Sequence, residues 1–174
     1  MLTKNILVIK NLTVFPENNK KNILVNDVSF SLERGKLTCI VGESGSGKSL
    51  TALSIIKLLS SQLKAEGPIH FEKNDLSLLN EKKLREYRGK EISMIFQDPM
   101  TSLNPVFTVG YQVAEALHAH NNITKSEAKK IVEQTFQDVG IPPERYDSYP
   151  DELSGGQRQR VMIAMAIINK PKLL

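Results

Sequence analysis

Apolar positions in this chain fall first in strand-like runs and then, from about residue 98, at helical spacing. Ile6 to Val14 and Ile23 to Leu32 are separated by the polar Glu17 to Lys21, the pattern of a hairpin-like pair of strands. Lys36 to Val41, bounded by Gly35 and Gly42, is short, apolar and partly β-branched, which predicts a buried strand. Leu50, Ala52, Leu53, Ile55, Ile56, Leu58 and Leu59 then cover nearly every side of a helix whose lone charge is Lys57, so that helix is expected to be buried. Asn80 to Lys90 reads as a solvated helix, and Glu91 to Phe96 as a core strand broken by Asp98-Pro99, a hinge towards the next subdomain.

Beyond that break, Thr124 and Glu127 have capping-box spacing. Ala128, Ile131, Val132, Phe136 and Val139 continue at helical period until Gly140. Pro142-Pro143 and Tyr149-Pro150 mark a return loop. A last helix runs from Gln157 to Asn169 and is closed by Lys170 and Pro171. There are no internal repeats and no low-complexity tracts.

The loop between the Lys36 strand and its helix reads GESGSGKS, Gly42 to Ser49. Strand, glycine loop, helix is the context that a P-loop requires. Gly42, Gly45 and Gly47 let the backbone take left-handed conformations and turn its amides inward. With the positive end of the following helix they form an anion cradle. Lys48 adds a mobile charge for the β- and γ-phosphates, and Ser49 offers a hydroxyl to Mg²⁺. The competing reading is a glycine-rich turn with a surface lysine; the complete GxxxxGKS in its flanks argues against it.

A second phosphate-handling candidate is LSGGQ, Leu153 to Gln157. Ser154 and Gln157 have capping-box spacing, and Gly155 and Gly156 leave the helix start bare for close approach. An ordinary capped helix with a glycine hinge is the bland alternative.

Composition adds limits. The 174 residues make one domain's worth or two small subdomains, and 40% apolar content can build a core. Val161 to Ile168, the longest uncharged apolar run, is too short to span a bilayer. No charged-then-apolar leader follows Met1. The single Cys39, on the expected P-loop strand, suggests an inert buried thiol in a reduced compartment. A net charge of +4 suits ATP or nearby anionic lipid without requiring nucleic acid. His70, His118 and His120 have no metal-ligand company.

GESGSGKS, Gln97 within IFQDPMTSLNP, and LSGGQRQRVMIAMA together make the chain resemble the ATP-binding subunit of an ABC transporter. QDPMTSLNP and YPDELSGGQRQRVMIAMA are similar to the dipeptide, oligopeptide and nickel importer subfamily, over roughly Leu7 to Leu174. The resemblance implies an α/β fold: a P-loop NTPase, RecA-like core with a small antiparallel β-subdomain, plus a helical subdomain that docks a permease. The implied divisions are 1–97, 98–153 and 154–174, the last holding the signature helix and the start of a further strand.

It also implies site roles. Gly42, Glu43, Ser44, Gly45, Ser46, Gly47, Lys48, Ser49 and Leu50 would bind ATP in cis, while Ser154, Gly155, Gly156 and Gln157 would contact it in trans across a head-to-tail dimer. Gln97 would position water or Mg²⁺, sharing the metal with Ser49. Phe15 is the nearest candidate for an adenine-stacking aromatic, displaced by one residue, with Pro16 in the expected place; a core role for Phe15 is the alternative. The partners implied are a permease, a second ATP-binding subunit and, indirectly, an extracytoplasmic substrate-binding protein, with no nucleic acid, at the cytoplasmic face of the membrane.

Pro171 to Leu174 looks like the opening of a strand that in this family carries the Mg²⁺-holding aspartate and precedes the catalytic glutamate. The C-terminal part of the core is therefore expected to be missing, with hydrolysis very slow and the apolar sides of Leu37 to Val41 and Val161 to Ile168 partly bare. Two further classes compete with this reading. One is a nucleotide-binding module without hydrolysis. The other is a chromosome or DNA-repair ATPase, which inserts a coiled coil between the motifs; no sustained heptads occur there. Peptide and nickel cargo are not separated by these residues, although the short Phe15 to Val25 segment leans towards nickel.

Overall fold

The computed structural model describes residues 4–97 and 102–174. The chain divides into two compact units, 1–84 and 85–174. These limits differ from those drawn at 97 and 153. Residues 85–97 are tied to the end of the chain, and the signature helix shares a core with the helices before it.

The first unit is an antiparallel sheet around one long strand, β1 (Asn5–Pro16). β2 (Val25–Glu33) pairs with one edge of β1. β3 (Leu63–Glu66) and β4 (Ile69–Phe71) share its other edge, and β5 (Asn74–Asp75) closes on β4. This bears out the expected hairpin.

The burial of β1 changes phase midway: Leu7 and Ile9 are buried, then Leu12 and Val14. Strict alternation cannot bury both pairs on one face. A register shift between Ile9 and Leu12 resolves the conflict, with Asn11 at φ 50. Asn tolerates that left-handed conformation, and its side-chain amide donates to Asp27 Oδ1 at 2.6 Å while Ser29 Oγ accepts from its backbone N–H at 2.7 Å. At β5, burial works against the charge of Asp75. Hydrogen bonds from the Ser77 hydroxyl and amide and from the Ile69 amide outweigh it and hold the carboxyl below its ordinary range.

Three expectations fail in this unit. Lys36 to Val41 is not a strand: no described residue pairs with it, and Leu37, Ile40 and Val41 are 100%, 47% and 87% exposed. Apolar, β-branched composition marks a segment for a sheet, but a strand exists only when a neighbour takes its amides and carbonyls. Cys39 is consequently exposed and not buried. The helix α1 (Lys48–Ile55) is likewise less covered than its composition suggests; Thr51 and Ser54 are its buried residues, and Leu58 beyond it is 41% exposed. Helix α2 (Glu81–Tyr87) is the solvated helix expected, anchored by the buried Leu84.

In the second unit α3 (Val109–His118), α4 (Lys125–Asp138) and α5 (Gly155–Ile167) enclose one core. Val113, Leu117, Val132, Phe136, Val161 and Ala164 are among its buried members. Val161 to Ile168 is therefore largely covered, contrary to expectation. The Thr124–Glu127 capping box is present, and Gly140 ends α4 at φ 75. Ile131 is 40% exposed on the outer side of that helix. The Arg160 guanidinium reaches from α5 to the Val139 carbonyl at 2.6 Å, placing a cation at the negative end of α4.

Glu91 to Phe96 is also not a strand. Ile92 alone pairs, in parallel with Arg88 and with Leu173, the latter supported by the Ser93 amide donating to the Leu173 carbonyl at 2.9 Å. The expectation that Pro171 to Leu174 opens a strand is met to that extent. The Asp98-Pro99 break lies outside the described residues.

Two tests follow from this packing. A Cβ on Gly110 would overlap the Tyr146 ring and lie 2.5 Å from its carbonyl oxygen, so Gly110→Ala is expected to cost about 2 kcal/mol or more in urea unfolding. Glu127 is held below the usual carboxylate range by the Thr124 amide first and the Thr124 hydroxyl second. Its stabilising share is thus present above the unfolded carboxylate pKa and lost as pH falls through the folded one. Urea midpoints of the wild type and Glu127→Ala should converge between about pH 6 and about pH 3.

Candidate functional site

The Gly42–Ser49 loop is organised by its own lysine. Lys48 Nζ donates to the Gly42 carbonyl at 2.8 Å, to the Glu43 carbonyl at 2.6 Å and to Ser46 Oγ at 3.2 Å. The Ser46 amide donates to the Glu43 carbonyl at 3.2 Å and closes the turn. Gly45 and Gly47 stand at φ 81 and φ 89, as the spacing predicts; Gly42 does not share that conformation. Its glycine has a different reason: a Cβ there would sit 2.6 Å from Ser46 Oγ.

α1 begins at Lys48 with no side-chain cap and no acidic residue in its first turn. Its leading amides and the positive end of its dipole are therefore uncompensated. Carbonyl-bound ammonium and uncapped amides converge on one short loop, which fits an oxyanion such as a chain of phosphates. Glu43, Ser44 and Ser49 are exposed, and Leu50 is half-buried. Gly47 also rests directly on β2. A Cβ there would lie 2.9 Å from Val25 Cγ2 and 3.2 Å from the Leu24 carbonyl. A cleft of about 580 Å³ opens here, with Leu24, Val25, Cys39, Val41, Ser46 and Lys48 among its lining.

Phe15 does not present an open ring. It is 3% exposed within β1, and the Lys20 ammonium lies 5.2 Å from its ring centre while bonding both Glu66 oxygens at 2.8 Å. The core reading fits this placement. Its reading as an adenine platform does not, because hairpin packing has covered the ring.

The signature turn lies in the second unit. Ser154 caps α5: its Oγ accepts the Gln157 amide at 3.3 Å, and Gln157 Oε1 accepts the Ser154 amide at 3.0 Å. Gly155 and Gly156 are exposed, and a Cβ on either would meet nothing within 4 Å. Neither glycine is there for internal packing. Gln97, in the same unit, is exposed at the end of the segment that pairs only through Ile92.

One residue escaped the sequence reading. Gln112 is 5% exposed, and its amide donates to the Asn104 and Phe107 carbonyls at 2.9 Å while accepting the Asn104 amide at 2.8 Å. It fastens the loop ahead of α3 and turns Val106, Phe107 and Tyr111 outward, at 69%, 44% and 50% exposure. A glutamine inside the Val109–Val113–Leu117 stripe was the available signal.

A left-handed glycine loop that folds a lysine back over an uncapped helix start defines a P-loop protein. The ABC transporter family profile matches residues 25–174, and the chain belongs to that family. It is 48% identical over 177 residues to the peptidoglycan transport ATP-binding protein YejF of Agrobacterium fabrum, covering 99% of this chain and 32% of that protein. It is 51% identical over 154 residues to the oligopeptide transport ATP-binding protein OppD of Bacillus subtilis, covering 86% and 43%. The glutathione import ATP-binding protein GsiA of Escherichia coli is 44% identical over 183 residues, covering 98% and 29%. The chain thus spans less than half the length of these relatives. Among solved structures, the dimeric bacterial ABC transporter cassette MJ0796 superposes with a TM-score of 0.81 at 27% identity, covering 95% of this chain and 70% of that one.

The glycines separate packing from access. Gly47→Ala should lower the thermal midpoint of the protein, since φ 89 and the Val25 methyl both resist a side chain. Gly156→Ala should leave it unchanged or raise stability by up to about 1 kcal/mol. Differential scanning calorimetry of the two variants checks the contrast.

Proposed function

We propose that this chain is the nucleotide-binding part of an importer ATPase, with ATP held by Gly42–Ser49 and by Ser154–Gln157 of a second copy or a related subunit. The observation that carries the reading is the Lys48 ammonium, bound to two carbonyls and a hydroxyl of its own loop. A triphosphate offers better acceptors than these to the same ammonium, and the uncapped α1 amides supply further donors. Lys48 can therefore change partners without leaving the loop. Ser49 and Gln97 are the oxygen donors suited to Mg²⁺, which would neutralise phosphate charge when bound.

Ser154, Gly155 and Gly156 form an exposed, dipole-positive helix start whose glycines admit a ligand closely. Its complement is the exposed outer side of a bound triphosphate, which supports the two-subunit arrangement; the dimeric cassette MJ0796 supports it as well. Binding of ATP at such a joint favours the closed dimer because it makes contacts there that it lacks in the open one.

Peptide cargo is favoured, since the relatives cited transport oligopeptides, glutathione and peptidoglycan, and none of those names concerns nickel. The exposed Val106–Phe107–Tyr111 patch supports docking on a permease, and with it a position at the cytoplasmic face of a membrane. An extracytoplasmic substrate-binding protein would act only through that permease.

Thermal unfolding with tripolyphosphate or ATP tests the core of this reading. At about 100 times the Kd, protection of about 2.7 kcal/mol is expected, and Lys48→Ala should abolish it. Equal protection of the variant, or none of the wild type, refutes the proposal.

A further inference from the structure

Resting on the phosphate-binding reading above, the structure raises a separate question: what holds the base of the nucleotide. Phe15, the aromatic nearest the hairpin end, is sealed at 3% exposure beneath a lysine that Glu66 restrains. Pro16, next to it, is half-buried at the end of β1. By contrast Ile23 and Leu24 are 47% and 37% exposed, although apolar side chains at the start of a strand gain by burial.

The position of Leu24 is fixed and close to the loop, and Ile23 precedes it in the same turn. The Leu24 amide donates to the Val14 carbonyl at 2.8 Å, pinning the turn into the sheet. The Leu24 carbonyl and the Val25 side chain press against Gly47, the residue from which α1 and its phosphate-binding amides begin. Leu24 and Val25 line the same cleft as Gly42, Ser46 and Lys48.

We propose that the purine lies on an aliphatic shelf formed by Ile23 and Leu24, with Val25 beneath, and not on Phe15. Such a shelf covers the apolar face of a base but carries no side-chain group that reads its edge. Affinity from the base is therefore modest, and ATP and GTP bind with similar strength.

Tripolyphosphate, which has the phosphates without the base, separates the two parts of the site. In titration calorimetry on the protein, Ile23→Ser combined with Leu24→Ser should weaken ATP about tenfold, a change of about 1.4 kcal/mol, and leave tripolyphosphate unchanged. Both substitutions are at exposed positions, so folding is retained. Leu24→Tyr should tighten ATP severalfold by supplying a stacking ring. Phe15→Leu, which keeps the core filled, should change neither ligand.

Three results overturn the shelf: ATP binding unaffected by the double substitution, a selective loss of ATP on Phe15→Leu, or the same loss on Val41→Ser across the cleft. If the wild type binds no tripolyphosphate, the phosphate cradle itself fails, and the shelf with it.

Discussion

The first unit depends on one close approach, that of Gly47 to the opening residues of β2. No other residue type satisfies both demands at that point: a left-handed backbone and a bare Cα against Val25 and the Leu24 carbonyl. Because the contact is made, the start of α1 is referenced to the hairpin and not merely to the loop before it. Lys48 then closes the loop over the uncapped helix end. The antiparallel sheet thus acts as a foundation for an anion site although its strands supply no phosphate ligand.

Motifs that are locally self-sufficient were legible from sequence. The Thr124 and Ser154 capping boxes each complete themselves within four residues, so spacing alone identified them. The hairpin was legible because the strand that follows Glu17 to Lys21 folds back on the one before it. Lys36 to Val41 and Glu91 to Phe96 have strand composition without forming strands, for the opposite reason. Parallel strands depend on partners distant in sequence, and composition reports the preference without the pairing. The phase change in β1 was equally hidden, since it hangs on one left-handed asparagine rather than on the hydrophobic pattern.

The site divided along the same line. Spacing placed the glycine loop, Lys48 and the signature glycines, because backbone conformation and access follow from glycine itself. It did not decide Phe15, since an aromatic near a strand end serves a core and a ligand equally well until the packing of Lys20 and Glu66 is known. Gln112 passed unnoticed because its role is to satisfy the backbone of another segment, Asn104 to Phe107, which no local pattern announces.

Arg160 carries a mechanical implication. Its guanidinium is committed to the Val139 carbonyl at the end of α4, and the two helices also share the core around Phe136 and Val161. The signature helix is therefore braced by charge at its rim and by oil at its centre. A load applied at the two bare glycines therefore reaches α4 by two routes, the rim contact and the shared core.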